Sequence, residues 1–440
     1  MYARNPVRRA MLLGFLALIA ISLSPARSQA ENPKAAGDSA AKIHARAVPK
    51  ALSPSTTKGL AYLVSQQQAS GGWGQGGGWR QNTQAGGRVE GAGVVDLPDL
   101  GNTCMATLAL IRAGNTPQQG PYAANVARAV EFICGQIEKS DDDGLYVTDV
   151  RDTQLQQKIG QYVDTFLAGL VLSELKGKLP ANGLGKQSLA ALEKTVGKIE
   201  KNQKADGTFA GNTGWASVLS QGLCSKFLNR AAQQQVAVKD EVLRRDFDQS
   251  VAALDRKTGE FKAEPRAGIA APAASDAGVM LYSAATGASR INDFGLTNLE
   301  RERVARNTLA SKTAKPADKE QAQADLRRID DVKNAQKAAV GAVVRRLDDE
   351  QFVAGFGNNG GEELLSYMNI SEMLVAQGGS EWRQWDKSIT ANVERIQNQD
   401  GSWSGNHCIT GRTFCTAAAL LTLMADRAPV PLAAQIKAGK

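Results

Sequence analysis

The stretch QNQDGSWSGNHCITGRTFCTAAALLTLM, residues 397–424, decides the fold. A polar run closes on Asp400-Gly401-Ser402-Trp403. A loop holding His407, Cys408 and Cys415 follows, and then a small-residue apolar helix begins. The tetrad has relatives upstream: Ser70-Gly71-Gly72-Trp73, Asp143-Gly144-Leu145-Tyr146, Asp206-Gly207-Thr208-Phe209 and Thr258-Gly259-Glu260-Phe261, with a degenerate copy around Gly355-Phe356. Self-similarity of this kind marks a repeat architecture. Asp, Ser or Thr bonds neighbouring backbone groups, Gly supplies the positive φ that ends a helix, and the aromatic folds back between units.

Each tetrad is preceded by a segment with charge on one side, such as that carrying Lys194, Lys198 and Glu200 or that carrying Arg345, Arg346 and Asp348. Such patterning marks a half-exposed helix. Each tetrad is followed by a helix almost free of Lys, Arg and Glu in its middle, as in VDTFLAGLVLSEL (163–175) and TFCTAAALLTLM (413–424). One ring of buried helices inside one ring of half-exposed helices satisfies both patterns, so the expected fold is all-α, an (α/α)6 toroid. An open solenoid needs polar end repeats. The last apolar helix is as apolar as any other, so a closed ring is predicted.

The two ends of the chain read differently. Arg4, Arg8 and Arg9 precede the apolar run AMLLGFLALIAISL, and SQA ends at Ala30, a signal-peptide pattern with cleavage expected after Ala30. The chain is therefore expected to be secreted or periplasmic, with the Arg8-Arg9 pair leaving twin-arginine export open. Residues 31–54 read as a disordered lead-in, 55–427 as the toroid, 299–336 as a charged insertion in it, and 428–440 as a tail. Removing the four arginines of the leader lowers the formal charge from +8 to +4. With no basic stripe interleaved with aromatics, nucleic-acid binding is not expected. No mature segment approaches the roughly 18 apolar residues of a membrane span.

The Gln397, Gly401, Trp403 pattern and its partner Gln67, Gly71, Trp73 resemble the Gln-Trp repeat of squalene–hopene cyclases and other terpenoid cyclases. The same paired-helix ring occurs in protein prenyltransferase β subunits. The resemblance spans about residues 55–427 and implies the toroid. It does not carry the catalytic motifs. Cyclases protonate substrate with Asp-x-Asp-Asp, and the acidic triplet here, Asp141-Asp142-Asp143, falls in a turn. Cyclase cavities are rich in aromatics, whereas this chain is 5% aromatic. The prenyltransferase zinc pair Asp-x-Cys has no counterpart, and Cys415 stands where the zinc-binding His would be. The Gly-Cys-x-Glu-Gln motif of complement-type thioester domains is also absent.

Candidate site residues follow from helix geometry, which gathers the starts of the buried helices at one mouth. Asp164, Asp276 and Glu363 are the candidate catalytic carboxylates, against a plain reading in which each complements a helix dipole. Glu362 takes the dipole reading as well. Trp79, Tyr367, His407 and Arg412 are candidate ligand contacts, Trp79 as part of a glycine-rich lid. Cys408 could pair with Cys415 or with Cys104 across the ring seam, since an exported chain favours disulfides. A structural zinc needs about four ligands. The loop offers too few, so no metal and no cofactor are expected. The expected function is an exported binding or scaffold protein taking a ligand or a partner protein at the central cavity. The alternative is an enzyme acting on a terpenoid or glycan by general acid/base catalysis.

Overall fold

The computed structural model describes residues 48–79, 88–89, 96–255, 257–262, 279–357 and 359–431. The chain divides after Ala40, and everything described lies in the second unit. Ser53 opens α1 (Pro54–Ser65) by accepting from Thr56 N, with Pro54 preset for the first turn. Strands β1 (Gly78–Trp79) and β2 (Arg88–Val89) pair antiparallel. Then come α2 (Leu100–Arg112), α3 (Ala123–Lys139), α4 (Gln154–Ile159), α5 (Val163–Leu175), α6 (Gly183–Asn202), α7 (Val218–Gln233) and α8 (Asp240–Ala253). A second small hairpin, β3 (Leu254–Asp255) with β4 (Glu260–Phe261), leads to α9 (Met280–Thr297). The chain continues through α10 (Leu299–Ala310), α11 (Pro316–Val344), α12 (Glu350–Ala354), α13 (Gly361–Gln377), α14 (Gly379–Arg395) and α15 (Arg412–Leu423).

Two kinds of helix alternate. In α2 and α5 every residue is buried, and α7, α9, α13 and α15 come close to that. By contrast α3 buries only the stripe Val126, Ala129, Val130, Ile133, Cys134 and Ile137, and α14 only Trp385, Ile389 and Val393. These are the helical spacings of an amphipathic face. The buried helices pack in sequence, α2 on α5, α5 on α7, α7 on α9, α9 on α13, α13 on α15, and finally α15 on α2. The last unit therefore meets the first.

The turn contacts recur from unit to unit. Trp73 Nε1 donates to Leu63 O at 2.6 Å and Trp403 Nε1 to Val393 O at 2.7 Å, each indole closing the end of its own outer helix. The backbone N–H of each Trp reaches a Thr hydroxyl on the following inner helix, Thr103 or Thr416, at 2.9 Å. Gly401 has φ +89°, and a Cβ there would lie 2.7 Å from Lys58 O in α1. Gly71 stands in the same relation to Arg128 O in α3. A side chain would thus meet two penalties, the left-handed backbone and the neighbouring carbonyl. Two copies depart from the pattern: Gly144 is not among the glycines of positive φ, and Phe356 is exposed. Around Gly144 the turn is held by Lys198, whose Nζ donates to Asp141 O and Gly144 O. Lys198, expected on a solvent face, is therefore almost fully buried.

Lys50 and Ser53, at the described end of the segment read as a lead-in, are tied to the fold. Lys50 N donates to Asp426 Oδ2, its Nζ bonds Asp386, and Arg427 donates to Lys50 O. The charged insertion is helical: it forms α10 and the first part of α11, whose second part serves as the outer helix packed on α9 and α13.

Near the C-terminal ends of the inner helices the axis is crossed by buried ion pairs. Arg112 of α2 forms a bidentate pair with Glu174 of α5, both bonds 2.6 Å, and reaches Glu372 of α13 at 3.0 Å. Lys226 of α7 bonds Glu372 at 2.9 Å and Asp293 of α9 at 3.2 Å. Arg230 lies 3.9 Å from Glu174 and 4.0 Å from Glu372. Neither α2 nor α7 is beside α13 in the ring, so Glu372 reaches across the interior to helices two places away on either side. Burial alone would raise its carboxyl, but Arg112, Lys226 and Arg230 hold it well below the usual carboxylate range.

Two stability measurements follow. Gly401→Ala should destabilise more than Gly177→Ala in urea unfolding. Gly177 also has positive φ but no atom within 4 Å of its would-be Cβ, so it reports the backbone term of about 1–2 kcal/mol alone. Equal losses would mean that the contact with α1 contributes nothing. Glu372→Ala leaves the buried cations unbalanced and should cost about 3–5 kcal/mol, read as a lowered unfolding midpoint.

Candidate functional site

The opposite end of the ring, where the inner helices begin, holds a different constellation. It is built on the first turn of α13. The Glu363 side chain folds back to accept from Gly360 N at 2.9 Å, a capping interaction. It also accepts from Phe356 N at 2.8 Å and from the Tyr282 hydroxyl of α9 at 2.5 Å. Its neighbour Glu362 is fully buried; one oxygen accepts from Ile409 N at 3.1 Å and the other, Oε1, has no hydrogen-bond partner among the described residues.

The loop before α15 supplies the other wall. Cys408 has the left-handed φ of +47°, uncommon for a residue with a side chain. The carboxamide of Gln154, at the start of α4, holds the bend. Gln154 Nε2 donates to Cys408 O and Thr410 Oγ1 at 3.0 and 3.1 Å, while its Oε1 accepts from Thr410 N and Gly411 N. This presents His407 with Nε2 3.2 Å from Glu363 Oε2. One donor atom each from Glu362, His407 and Cys408 lies within 4.8 Å of the others. His407 meets Phe356 edge-on at 5.3 Å, and Phe356 meets Trp215 in the same way at 5.8 Å. Trp215 and Phe356 are 44% and 51% exposed, so an aromatic pair stands at the surface over a buried acidic group.

The charges follow from this geometry. Burial, then the adjacent Glu363, pushes Glu362 up to about 7. Burial would also raise Glu363, but bonds from His407 and Tyr282 bring it below its usual value. The Cys408 side chain, then Glu363, moves His407 up to about 10. Near neutral pH the site thus holds a His407–Glu363 ion pair beside a carboxyl poised between its two forms. Such a set can bind a ligand, pass a proton or ligate a metal.

A second group of carboxylates sits at the starts of α2 and α5. Asp99 caps α2 through Asn102 N at 2.8 Å, and Asp164 accepts from Gln156 Nε2 at 2.6 Å. Burial is the main reason that Asp99 rises to about 7, with Asp164 next, and burial also lifts Asp164 to about 6. Asp96 binds Gln75 N and Gly76 N, anchoring the start of the glycine-rich loop.

The candidates from sequence are therefore distributed as follows. Glu363 and His407 come together. Asp164 is buried beside Asp99 and shares no hydrogen-bond partner with Glu363. Asp276 lies outside the described residues. Trp79 is in β1, and its side chain is outside the described residues. Tyr367 donates its hydroxyl to Val353 O, and its ring packs against Trp385 of the outer helix α14. Arg412 pairs with Asp400 in the repeat turn. Cys104, Cys408 and Cys415 form no disulfide: Cys104 is buried in α2, and the Cys415 thiol donates to Ile409 O within its own loop. No sequence pattern marks Tyr282, Gln154 or Trp215. By sequence, Glu362 reads as a dipole partner and Phe356 as a turn aromatic.

No protein-family model matches this chain, and no curated protein matches it. Among solved structures it is similar to those of the type II terpene cyclase MstE from Scytonema. A variant in complex with the product merosterolic acid A is 12% identical with a TM-score of 0.45, covering 86% of this chain and 97% of that chain. The apo form gives 12% and 0.42, covering 85% and 97%. A second variant, in complex with the substrate geranylgeranyl dihydroxybenzoate, gives 13% and 0.41, covering 86% and 97%. The likeness is one of fold.

The Asp164 carboxyl makes a pH prediction. Its folded value of about 6 lies above the ordinary 3.8, so the folded state holds the proton more tightly. Its effect is absent below pH ~4 and becomes destabilising as the pH rises toward 7, on the order of 1–3 kcal/mol. Asp164→Asn should remove that slope. A thermal midpoint of the wild type that does not fall relative to the variant between pH 4.5 and 7.5 would show that the carboxyl is ionised at no cost.

Proposed function

We propose that the chain is an exported binding protein that takes its ligand at the mouth of the helix ring. Export rests on the basic, apolar and small-residue pattern of residues 1–30. Binding at the mouth is carried by one observation: through Arg112 and Lys226, Glu372 ties α13 to α2 and α7, two helices it does not neighbour in the ring, across the interior. A ring crossed by ion pairs does not offer a long isoprenoid the deep apolar hollow that a polyene cyclisation needs. The mouth, in contrast, presents Trp215 and Phe356 to solvent beside the His407–Glu363 pair. Exposed aromatic faces next to a charged donor suit a small ligand with a flat apolar face, such as a sugar ring. Among the described residues no helix is long and apolar enough to cross a membrane.

A second reading, an acid/base enzyme, is favoured by the adjacency of Glu362, Glu363, His407 and Tyr282 in one buried group. One experiment separates the two. The chain secreted from a bacterial host should begin at Glu31. Titration calorimetry of that product against oligosaccharides and geranylgeranyl compounds should find a ring-bearing ligand whose affinity falls at least tenfold in Trp215→Ala/Phe356→Ala. The same mixtures should show no product. Turnover that disappears in Glu363→Gln would establish the enzyme instead, and an intact Met1 terminus on a retained chain would refute export.

A further inference from the structure

Among the described residues, the mouth contains a buried carboxylate oxygen with no hydrogen-bond partner. Glu362 is fully buried, its Oε2 accepts from Ile409 N, and its Oε1 has no hydrogen-bond partner. An unpaired buried carboxylate oxygen is costly unless a further donor or a cation reaches it. The polar atoms beside it are the His407 imidazole and the Cys408 sulfur, all within 4.8 Å of one another.

We propose that Glu362, His407 and Cys408 hold a divalent transition-metal ion, with zinc the best-fitting occupant. One oxygen, one nitrogen and one sulfur donor match the mixed ligand sets of zinc, whereas calcium and magnesium take oxygen ligands. Bonds of about 2.0–2.3 Å in a tetrahedron place ligand atoms roughly 3.3–3.8 Å apart. The trio needs to close by about an ångström, a change within reach of side-chain torsions.

The surroundings divide the labour among the acidic groups. Glu363 is already occupied by Gly360 N, Phe356 N and the Tyr282 hydroxyl, and it faces His407 Nε2. It therefore acts on the imidazole as the carboxylate behind a ligating histidine does, fixing the ring and leaving Nδ1 for the ion. Glu362, with an oxygen to spare, is the ligand. Cys408 is set in place by its left-handed backbone and by Gln154 on its carbonyl. Cys415 is not part of the set, because its thiol is bonded to Ile409 O. On binding, the protons of the thiol, the carboxyl and the imidazolium pass to solvent. Three protein ligands leave a fourth position, next to the exposed Phe356 and Trp215, for water or a ligand atom.

The test uses the full mature chain, stripped with a chelator and titrated with cobalt(II). Expected are saturation at equimolar metal and a near-ultraviolet thiolate-to-cobalt charge-transfer band. The band should vanish in Cys408→Ser and persist in Cys415→Ser. Affinity should drop at least tenfold in Glu362→Gln, an isosteric change whose circular dichroism reports that the fold is kept. Zinc should displace the cobalt. The proposal is overturned by an absence of saturable binding, by a charge-transfer band that survives in Cys408→Ser, or by unchanged affinity in folded Glu362→Gln.

Discussion

The Gln397 side chain donates to Gly401 O in its own turn and to Ser55 O in α1, both at 2.9 Å, so one amide ties the last unit to the first. Gln67 does the same between the first and second units, donating to Gly71 O and Asn125 O. Around the Gln397 bond lie the Gly401 contact with Lys58 O, the Trp403 ring against Gly59, and the Ser53 hydroxyl on Glu394. The seam is thus made of the contact that joins consecutive units, and nothing new had to be invented to bring residue 397 back to residue 55. Each inner helix can be apolar on nearly all sides only because a neighbour covers both of its flanks. Without the seam, α2 and α15 would each expose an apolar face.

The two ends of the ring solve the problem of buried charge in opposite ways. At the C-terminal end, Arg112, Lys226 and Arg230 meet Glu174, Asp293 and Glu372, and the charges balance within the protein. Such pairs contribute little net stability over an apolar core but are very costly to leave half-made, so they fix which helices face one another. At the mouth, Glu362, Glu363, Asp99 and Asp164 are all buried, and His407 is the cation paired with Glu363. Burial raises Asp99, Asp164 and Glu362, with Asp164 adding to the rise of Asp99 and Glu363 to that of Glu362. One end is settled; the other keeps unmet electrostatic demand.

The helix pairing was legible in the sequence because it is local. A glycine at a turn, an aromatic two residues later and the 3.6-residue apolar period are all short-range patterns, and they place α2, α5, α7, α9, α13 and α15 as buried helices. The burial of Lys198 escaped this reading, since a lysine on a charged face gives no sign that it will satisfy the carbonyls of the preceding turn. The site was less legible for a related reason. His407 and Glu363 stand out by residue type and position, but Gln154, Tyr282 and Trp215 arrive from units two, four and three. Only the closed geometry brings them together. Phe356 was hidden by its likeness to the turn aromatics, all of which pattern alike while Trp73 and Trp403 are buried and Phe356 is not.

Several departures from local rules meet at the mouth. Among the described residues, four non-glycine positions have left-handed backbones, and two of them, Asn359 and Cys408, flank the His407–Glu363 pair. The same few residues contain the unpartnered Glu362 oxygen and an exposed phenylalanine. The indole N–H groups of Trp73, Trp385 and Trp403, by contrast, each find a partner. Strain and unsatisfied polarity persist only where the surrounding structure over-determines them, and here Gln154 and the α13 cap do so. A fold that satisfied every local preference would have placed a polar residue at 356 and an apolar one at 362. That it does neither, at the mouth and beside one of the chain's two histidines, is the physical reason to look for chemistry there and not along the axis.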